Sequence, residues 1–286
     1  MGPLLHRRVA PGALLVAFIW QSAVPARAVM INITNNVTAA NVENSNAASI
    51  QSVFDRAVAL WQSWLPNDAG KPAAHPQNAT FNITATDADL GLDTPADIAP
   101  PNQAKPTGIV AAPMRINNND NLGIPIYWDA APATPAIGAG NNEFGTFVNS
   151  GFGQWTASDN GAAADDLGFG SDDALTVVLH ELGHVLGFSD NYADFSAYIT
   201  NTWNPGAGTD VNLANSHFTG ATNLMSNAAG FNAGSGRNFL QQEDRLVLSN
   251  TFGYMFVPEP GSISLAVVGL ALLLGARWRK RRTKLG

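Results

Sequence analysis

The sequence predicts an α+β fold built around one hydrophobic core. Three observations predict it: a long amphipathic helix at residues 47–65, strand-like segments after it, and a second, apolar helix that ends in a pair of histidines. The chain between its two atypical ends has about 228 residues, which is enough for a single core.

The first 28 residues predict a secretory signal peptide. Two arginines stand near its start, residues 13–20 are apolar, and Ala26-Arg27-Ala28 forms an A-x-A cleavage site. The order of these three regions favours export over the alternative, a buried hydrophobic helix. We therefore expect the mature chain to begin near residue 29.

Periodicity predicts the first elements of the exported region. Residues 47–65 place apolar side chains at helical spacing, which indicates an amphipathic helix, and Pro66 ends it. Residues 80–86 alternate apolar and polar side chains and indicate a strand. Residues 124–128 indicate another strand, which Pro125 would confine to a sheet edge.

Other stretches are predicted to be irregular. The segments 94–113 and 130–140 are rich in Pro and Ala and are typical of loops. Residues 188–223 show no clear pattern and are expected to form the irregular lower half of a cleft.

The second helix has recognisable start and stop signals. Ser171 is its predicted N-cap, with Asp172 and Asp173 in the first turn, where negative charge is favoured. Residues 174–179 are apolar apart from one threonine, as expected of a buried helix. Gly187 ends the helix where a left-handed residue is needed.

This helix carries the most informative motif of the chain, H-E-x-x-H followed by x-x-Gly at residues 180–187. His180 and His184 are four residues apart, so an α-helix places both imidazoles on one face, where they can bind one metal ion. Glu181 lies beside that face and is the candidate general base. Zinc bound there would lower the pKa of a water molecule from about 16 to about 7.

The sequence HELGHVLGF resembles the metzincin clan of zinc endopeptidases. In that clan a glycine turns the chain away from the helix, a third ligand follows, and a methionine-containing turn lies beneath the metal. Leu224-Met225-Ser226 resembles this Met-turn, with Met225 as its methionine; a plain core methionine is the alternative. The resemblance spans residues 171–226 and implies a metzincin-like domain with a mixed twisted sheet, an active-site helix and an irregular C-terminal half.

Two residues compete to be the third ligand. Asp190 stands where many metzincins have a third histidine and where snapalysin-like enzymes have an aspartate. His217, in the sequence Asn-Ser-His-Phe before Met225, is similar to the leishmanolysin-like arrangement, although that family has Trp where this chain has Phe218 and a longer spacing to the methionine. We prefer His217, because zinc accepts three histidines and an open fourth position in catalytic sites.

The last thirty residues resemble the PEP-CTERM sorting signal of Gram-negative bacteria, which an exosortase recognises and processes. Pro258-Glu259-Pro260 is followed by residues 263–276, apolar apart from one serine, and then by a dense basic tail. The apolar run is shorter than the roughly 20 residues of a stable span, which predicts transient insertion into the inner membrane. The basic tail places the C-terminus in the cytoplasm. A permanent single-pass anchor is the alternative.

Composition supports an extracellular domain. Residues 29–256 hold 6 of the 15 Lys and Arg and 21 of the 22 Asp and Glu, a formal charge of −15. Such a domain is not expected to bind nucleic acid or anionic membranes through its charge. The chain has no cysteine, which excludes disulfides in an oxidising compartment.

The sequence thus predicts a signal peptide (1–28), a zinc metallopeptidase domain (29–256) and a PEP-CTERM segment with a short membrane span and basic tail (257–286). We expect an exported endopeptidase that holds Zn²⁺ and cleaves protein or peptide outside the cell, at the cell surface or in the medium. The alternative is a non-catalytic surface or biofilm-matrix protein with a structural metal site.

Overall fold

The computed structural model of the chain describes residues 29–42, 45–65, 71–72, 74–91, 94–118, 126–128, 144–149, 155–159, 172–201, 212–214, 216–219, 224–225, 240 and 242–256. The predicted signal peptide, the loop predicted at 130–140, and the segment from residue 257 onward lie outside these residues.

A mixed four-stranded sheet forms the framework, which confirms the α+β prediction. Its strands are β1 (Met30–Asn35), β2 (Thr80–Ala88), β3 (Ala96–Ile98) and β4 (Ile109–Asn117), in the order β1-β2-β4-β3. Strands β1, β2 and β4 are parallel, and β3 runs antiparallel to β4 at one edge.

One face of this sheet is buried and the other is exposed. Phe81 and Ile83 of β2 and Val110, Ala112 and Met114 of β4 are buried, whereas the residues that alternate with them are exposed. This period of two is what a half-buried strand requires, because successive side chains point to opposite faces. Two helices, α1 (Ala47–Trp64) and α2 (Ala174–Leu186), pack near the sheet and against each other.

The predicted helix α1 and strand β2 are confirmed. Asn46 begins α1 by accepting a hydrogen bond from the Ser49 backbone N–H at 2.9 Å, and the apolar stripe is buried. The indole N–H of Trp61 donates to the carbonyl of Leu179 at 3.0 Å. This bond joins α1 directly to the helix that carries the histidine motif.

The prediction of a loop at residues 94–113 is wrong in two places, because β3 and the first half of β4 lie within this segment. The pattern was hidden by small alanines and by Pro113, which central strands rarely contain. The carbonyl of Pro113 accepts from the Ala99 N–H at 3.2 Å. Pro113, which has no N–H of its own, therefore lies opposite Ala99, one residue beyond the end of β3. The proline therefore removes no ladder bond within β3.

The start of α2 differs from the prediction by two residues. Asp173 is itself the N-cap: its carboxylate accepts from the backbone N–H of Thr176 at 2.9 Å and from its hydroxyl at 2.7 Å. Asp172 and Asp173 form strand β8, parallel to β5 (Ile126–Tyr127), rather than a first helical turn. Ser171, the predicted cap, lies outside the described residues.

The predicted end of α2 is confirmed. Gly187 has a φ of 149°, and its N–H bonds to the carbonyl of Gly183. A Cβ at this position would lie 2.4 Å from the ring of Phe252, so the close approach also requires glycine.

The segment 188–223 is more regular than expected. It contains α3 (Ala193–Asn201) and the antiparallel pair β9 (Asn212–Ala214) and β10 (His217–Thr219). These elements are short, so a pattern over so few residues is weak. The described residues also include the pair β6 (Phe144–Asn149) and β7 (Trp155–Asp159) and a last helix, α4 (Gln242–Phe252).

No helix among the described residues is long and apolar enough to cross a membrane. The apolar run at 263–276 falls outside that part of the chain.

Candidate metal centre

Three histidines converge beside α2. The Nε2 atoms of His180 and His184 are 3.1 Å apart, as the i, i+4 spacing on one helix face allows. The Nε2 atom of His217, on β10, lies 3.1 Å from that of His180. The ligand atoms of the three side chains all lie within 4.8 Å of one another, and no other such group of three occurs in the described part of the chain.

Hydrogen bonds fix the tautomers of both helical histidines. His180 Nδ1 donates to the carbonyl of Leu224 at 2.6 Å, and His184 Nδ1 donates to the carbonyl of Phe188. A proton on Nδ1 leaves the Nε2 lone pair free, which is the usual arrangement of a metal-binding histidine. The two Nε2 lone pairs then face each other and repel unless a cation lies between them.

The electrostatics keep these imidazoles neutral. Burial lowers the pKa of His180 well below its ordinary value, and the neighbouring His184 and His217 lower it further. Burial likewise lowers the pKa of His184 to about 3. Neutral imidazole is the form that binds metal, so the site is ready for a cation at neutral pH.

The donor set fits zinc. Three imidazoles with Zn–N bonds of about 2.0–2.1 Å in a tetrahedral site would have nitrogens about 3.4 Å apart, close to the two separations of 3.1 Å. The structure thus brings His217, and not Asp190, to the helical pair.

The loop that follows α2 holds the hairpin that presents His217. The backbone N–H of Asp190 donates to Ser216 Oγ at 2.8 Å, while the Asp190 side chain is exposed. Ser216 has a φ of 67°, a left-handed conformation that is uncommon outside glycine and that turns the chain directly before His217. Asp190 therefore contributes to the site through its main chain.

Phe218 anchors the same hairpin to the core. Its N–H donates to the carbonyl of Met225 at 2.8 Å, and its buried ring packs on that of Phe188 at 5.7 Å. The aromatic residue after the histidine is thus a packing residue, which explains why Phe serves here.

Met225, the candidate Met-turn methionine, packs against the helix that carries the histidine pair. It is fully buried, and a Cβ added to Gly183, between the two helical histidines, would lie 2.4 Å from its sulfur. Glycine at position 183 lets the methionine approach the helix this closely.

One buried carboxylate that the sequence analysis missed supports this turn. Asp244 on α4 is fully buried, and its Oδ1 accepts from the N–H of Met225 at 3.4 Å. The carbonyl of the same peptide unit, from Leu224, accepts from His180 Nδ1. No local motif marks Asp244, because 19 residues separate it from Met225.

Glu181 lies beside the cluster as a buried carboxylate with 5% of its surface exposed. Burial raises its pKa well above the ordinary value, and the negative charge of Asp97 raises it further. Among the described residues it has no hydrogen-bond or ion-pair partner. A buried carboxylate beside the neutral imidazoles of His180 and His184 is suited to proton transfer.

Comparison with known proteins identifies one feature of the chain. Residues 256–282 match the PEP-CTERM protein-sorting motif, which confirms the predicted signal. This motif indicates an exported protein sorted to the cell envelope and recognised by an exosortase-type processing enzyme. No curated protein and no solved structure matches the chain, so the metzincin resemblance rests on its own residues.

Proposed function

We propose that residues 29–256 form an exported zinc-dependent endopeptidase. His180, His184 and His217 would hold the metal, and Glu181 would be the general base. The observation that carries this proposal is the convergence of three imidazole nitrogens within 4.8 Å beside a buried carboxylate that has no hydrogen-bond partner among the residues the structure describes.

The number of ligands favours a catalytic site over a structural one. Structural zinc sites usually close all four positions with protein side chains, whereas catalytic sites use three and keep one open. The described residues supply three candidate ligands. The chain has no cysteine, so the thiolate ligands common in structural zinc sites are absent.

Glu181 supplies the proton chemistry. When bound, zinc supplies Lewis acidity that lowers the pKa of a water molecule and polarises a carbonyl group. The carboxylate of Glu181 accepts the proton of the attacking water. The same group then passes the proton to the leaving amine.

The sheet edge beside α2 favours an extended peptide as substrate. Strand β3 ends the sheet, so in the described part of the chain its outer edge is unpaired. An extended peptide can add to such an edge through main-chain hydrogen bonds. Because β3 also packs near α2, a peptide bound there would run close to the histidine cluster.

The rival proposal is a non-catalytic surface or biofilm-matrix protein with a structural metal site. The sorting motif is compatible with it, since the motif concerns location alone. The two proposals differ in whether the metal-loaded protein turns over substrate.

Glu181→Gln provides the test. We expect the zinc-loaded wild-type domain to cleave casein or gelatin, and the variant to keep its zinc and lose nearly all cleavage. Asp194→Asn, which removes an exposed carboxylate from α3, is the matched control and should leave both properties unchanged. Zinc-loaded wild type that cleaves no protein would support the structural alternative, and near-normal cleavage by Glu181→Gln would refute the role of the base.

A further inference from the structure

Both ends of the folded domain lie at one end of the sheet. Met30, the first residue of β1, pairs with Thr80, the first residue of β2, which pairs in turn with Ile109 of β4. Three residues before Thr80, the amide of Gln77 accepts from the N–H of Met255 at 3.1 Å and donates to its carbonyl at 3.0 Å. We call this region, defined by Met30, Thr80, Ile109 and Met255, the basal end.

The basal end exposes apolar side chains. Met30, Ile109 and Met255 are 51%, 74% and 44% exposed, and they are three of the four large exposed apolar residues in the described part of the chain. Single exposed apolar residues are ordinary, but a group that shares one end of a sheet indicates a contact surface. The fourth, Leu246, lies within α4 and serves below as a control.

Covalent connectivity places this end near a membrane. Phe256 packs against the core, and the sorting motif starts at the same residue. Only residues 257–262 separate it from the apolar run 263–276. Seven residue steps reach at most about 25 Å. Until the motif is processed, Phe256, which follows Met255 at the basal end, therefore lies within about 25 Å of the bilayer that the apolar run enters.

The N-terminal connection leads to the same place. Val29 is fully buried and its N–H donates to the carbonyl of Leu65 at 3.0 Å, so the predicted signal peptide would leave the fold directly beside Met30. Both membrane-directed segments thus depart from the basal end.

Two lysines lie near this end of the acidic domain. Lys71 and Lys105 are the only lysines in residues 29–256. The carbonyl of Lys71 accepts from the side chain of Asn78, two residues before Thr80, and Lys105 is exposed four residues before Ile109. Each cation near an anionic leaflet contributes about 1 kcal/mol of attraction.

We propose that the basal end docks on the bilayer surface while the C-terminal segment tethers the domain, with Ile109, Met30 and Met255 entering the lipid interface. The formal charge of −15 on residues 29–256 opposes binding of the free domain to anionic lipid. Because the tether keeps the domain close to the bilayer, its effective concentration there is high, and a small apolar contact is enough to hold it on the lipid surface. This inference concerns orientation and is independent of the proposed peptidase activity.

Because the chain has no cysteine, single labels test the docking cleanly. Ile109→Cys, Ala111→Cys and Thr84→Cys place an environment-sensitive fluorophore at increasing heights on the exposed sheet face, about 13 Å from first to last. The full chain is reconstituted into phosphatidylethanolamine–phosphatidylglycerol vesicles that contain an acyl-chain quencher, and only floated, vesicle-bound protein is measured. We expect strong quenching at position 109, less at 111 and none at 84.

A second arm removes the contact. With the label on Met255→Cys, the added substitutions Met30→Ser and Ile109→Ser should reduce quenching at least threefold, whereas Leu246→Ser should leave it unchanged. Equal quenching at 109 and 84 would mean that the tethered domain has no preferred orientation. No quenching at 109 would mean that it stands clear of the lipid. Either result overturns the proposal.

Discussion

Asp244→Asn tests a residue that supports the metal centre without being a metal ligand. The carboxylate of Asp244 bonds to the N–H of Met225, and the carbonyl of the same peptide unit receives the proton of His180 Nδ1. A negative charge on one side of this peptide polarises it and makes the carbonyl a better acceptor. His180 is thereby held in the tautomer that leaves Nε2 free, and its basicity rises.

The expected effect follows from these two bonds. A hydrogen bond to a charged group contributes about 1.5–3 kcal/mol, which corresponds to about 10- to 100-fold in an equilibrium constant. Loss of a group that supports a metal-binding histidine falls in the same range. The bond from Met225 to Asp244 is 3.4 Å long, beyond the usual N–H···O range, so we expect the lower end, about tenfold weaker zinc binding.

Competition titration against a chelator of known zinc affinity measures this loss, and thermal unfolding of the metal-free protein shows whether the fold survives. Asp194→Asn controls for the removal of one negative charge, because Asp194 is exposed in the first turn of α3. Unchanged zinc affinity in Asp244→Asn, or an equal loss in Asp194→Asn, would refute the proposed support through the peptide.

Three further predictions can be checked independently. His217→Ala should weaken zinc binding far more than Asp190→Ala, because His217 Nε2 lies 3.1 Å from His180 Nε2 while the Asp190 side chain is exposed; a zinc titration in which Asp190→Ala empties the site would reverse the assignment. Burial, aided by the charge of Asp173, raises the pKa of Asp172 from 3.8 to about 6, so the folded state loses stability as pH rises through that range. Asp172→Asn cannot titrate and should gain roughly 1–2 kcal/mol relative to wild type between pH 4 and pH 7.5, after allowance for solvent screening, and a pH-independent difference in denaturant unfolding would contradict this. Intact-mass measurement on protein from its native host should show a chain cut near Pro258–Ser262, at the start of the sorting motif, whereas a species that retains the basic tail would indicate a permanent anchor.

Much of the framework was predictable because it depends on local pattern. The apolar stripe of α1, the alternation in β2 and the glycine that ends α2 are features of short windows, and the structure confirms them. Strand β4 escaped detection because alanines and Pro113 weaken its alternation. Its assignment depends on pairing with β2 and β3, which are distant in the sequence.

The sequence by itself determined the positions of His180, Glu181 and His184 on one helix, since a helical repeat of 3.6 residues brings i and i+4 together whatever surrounds them. It also determined the sorting motif, which is a linear signal. Only the tertiary structure brought His217 to this pair across 37 residues and placed Asp244 behind the Met225 peptide. The reason is physical: a third ligand and its supports must converge in space, and that convergence depends on how the hairpin, the turn and α4 pack around α2.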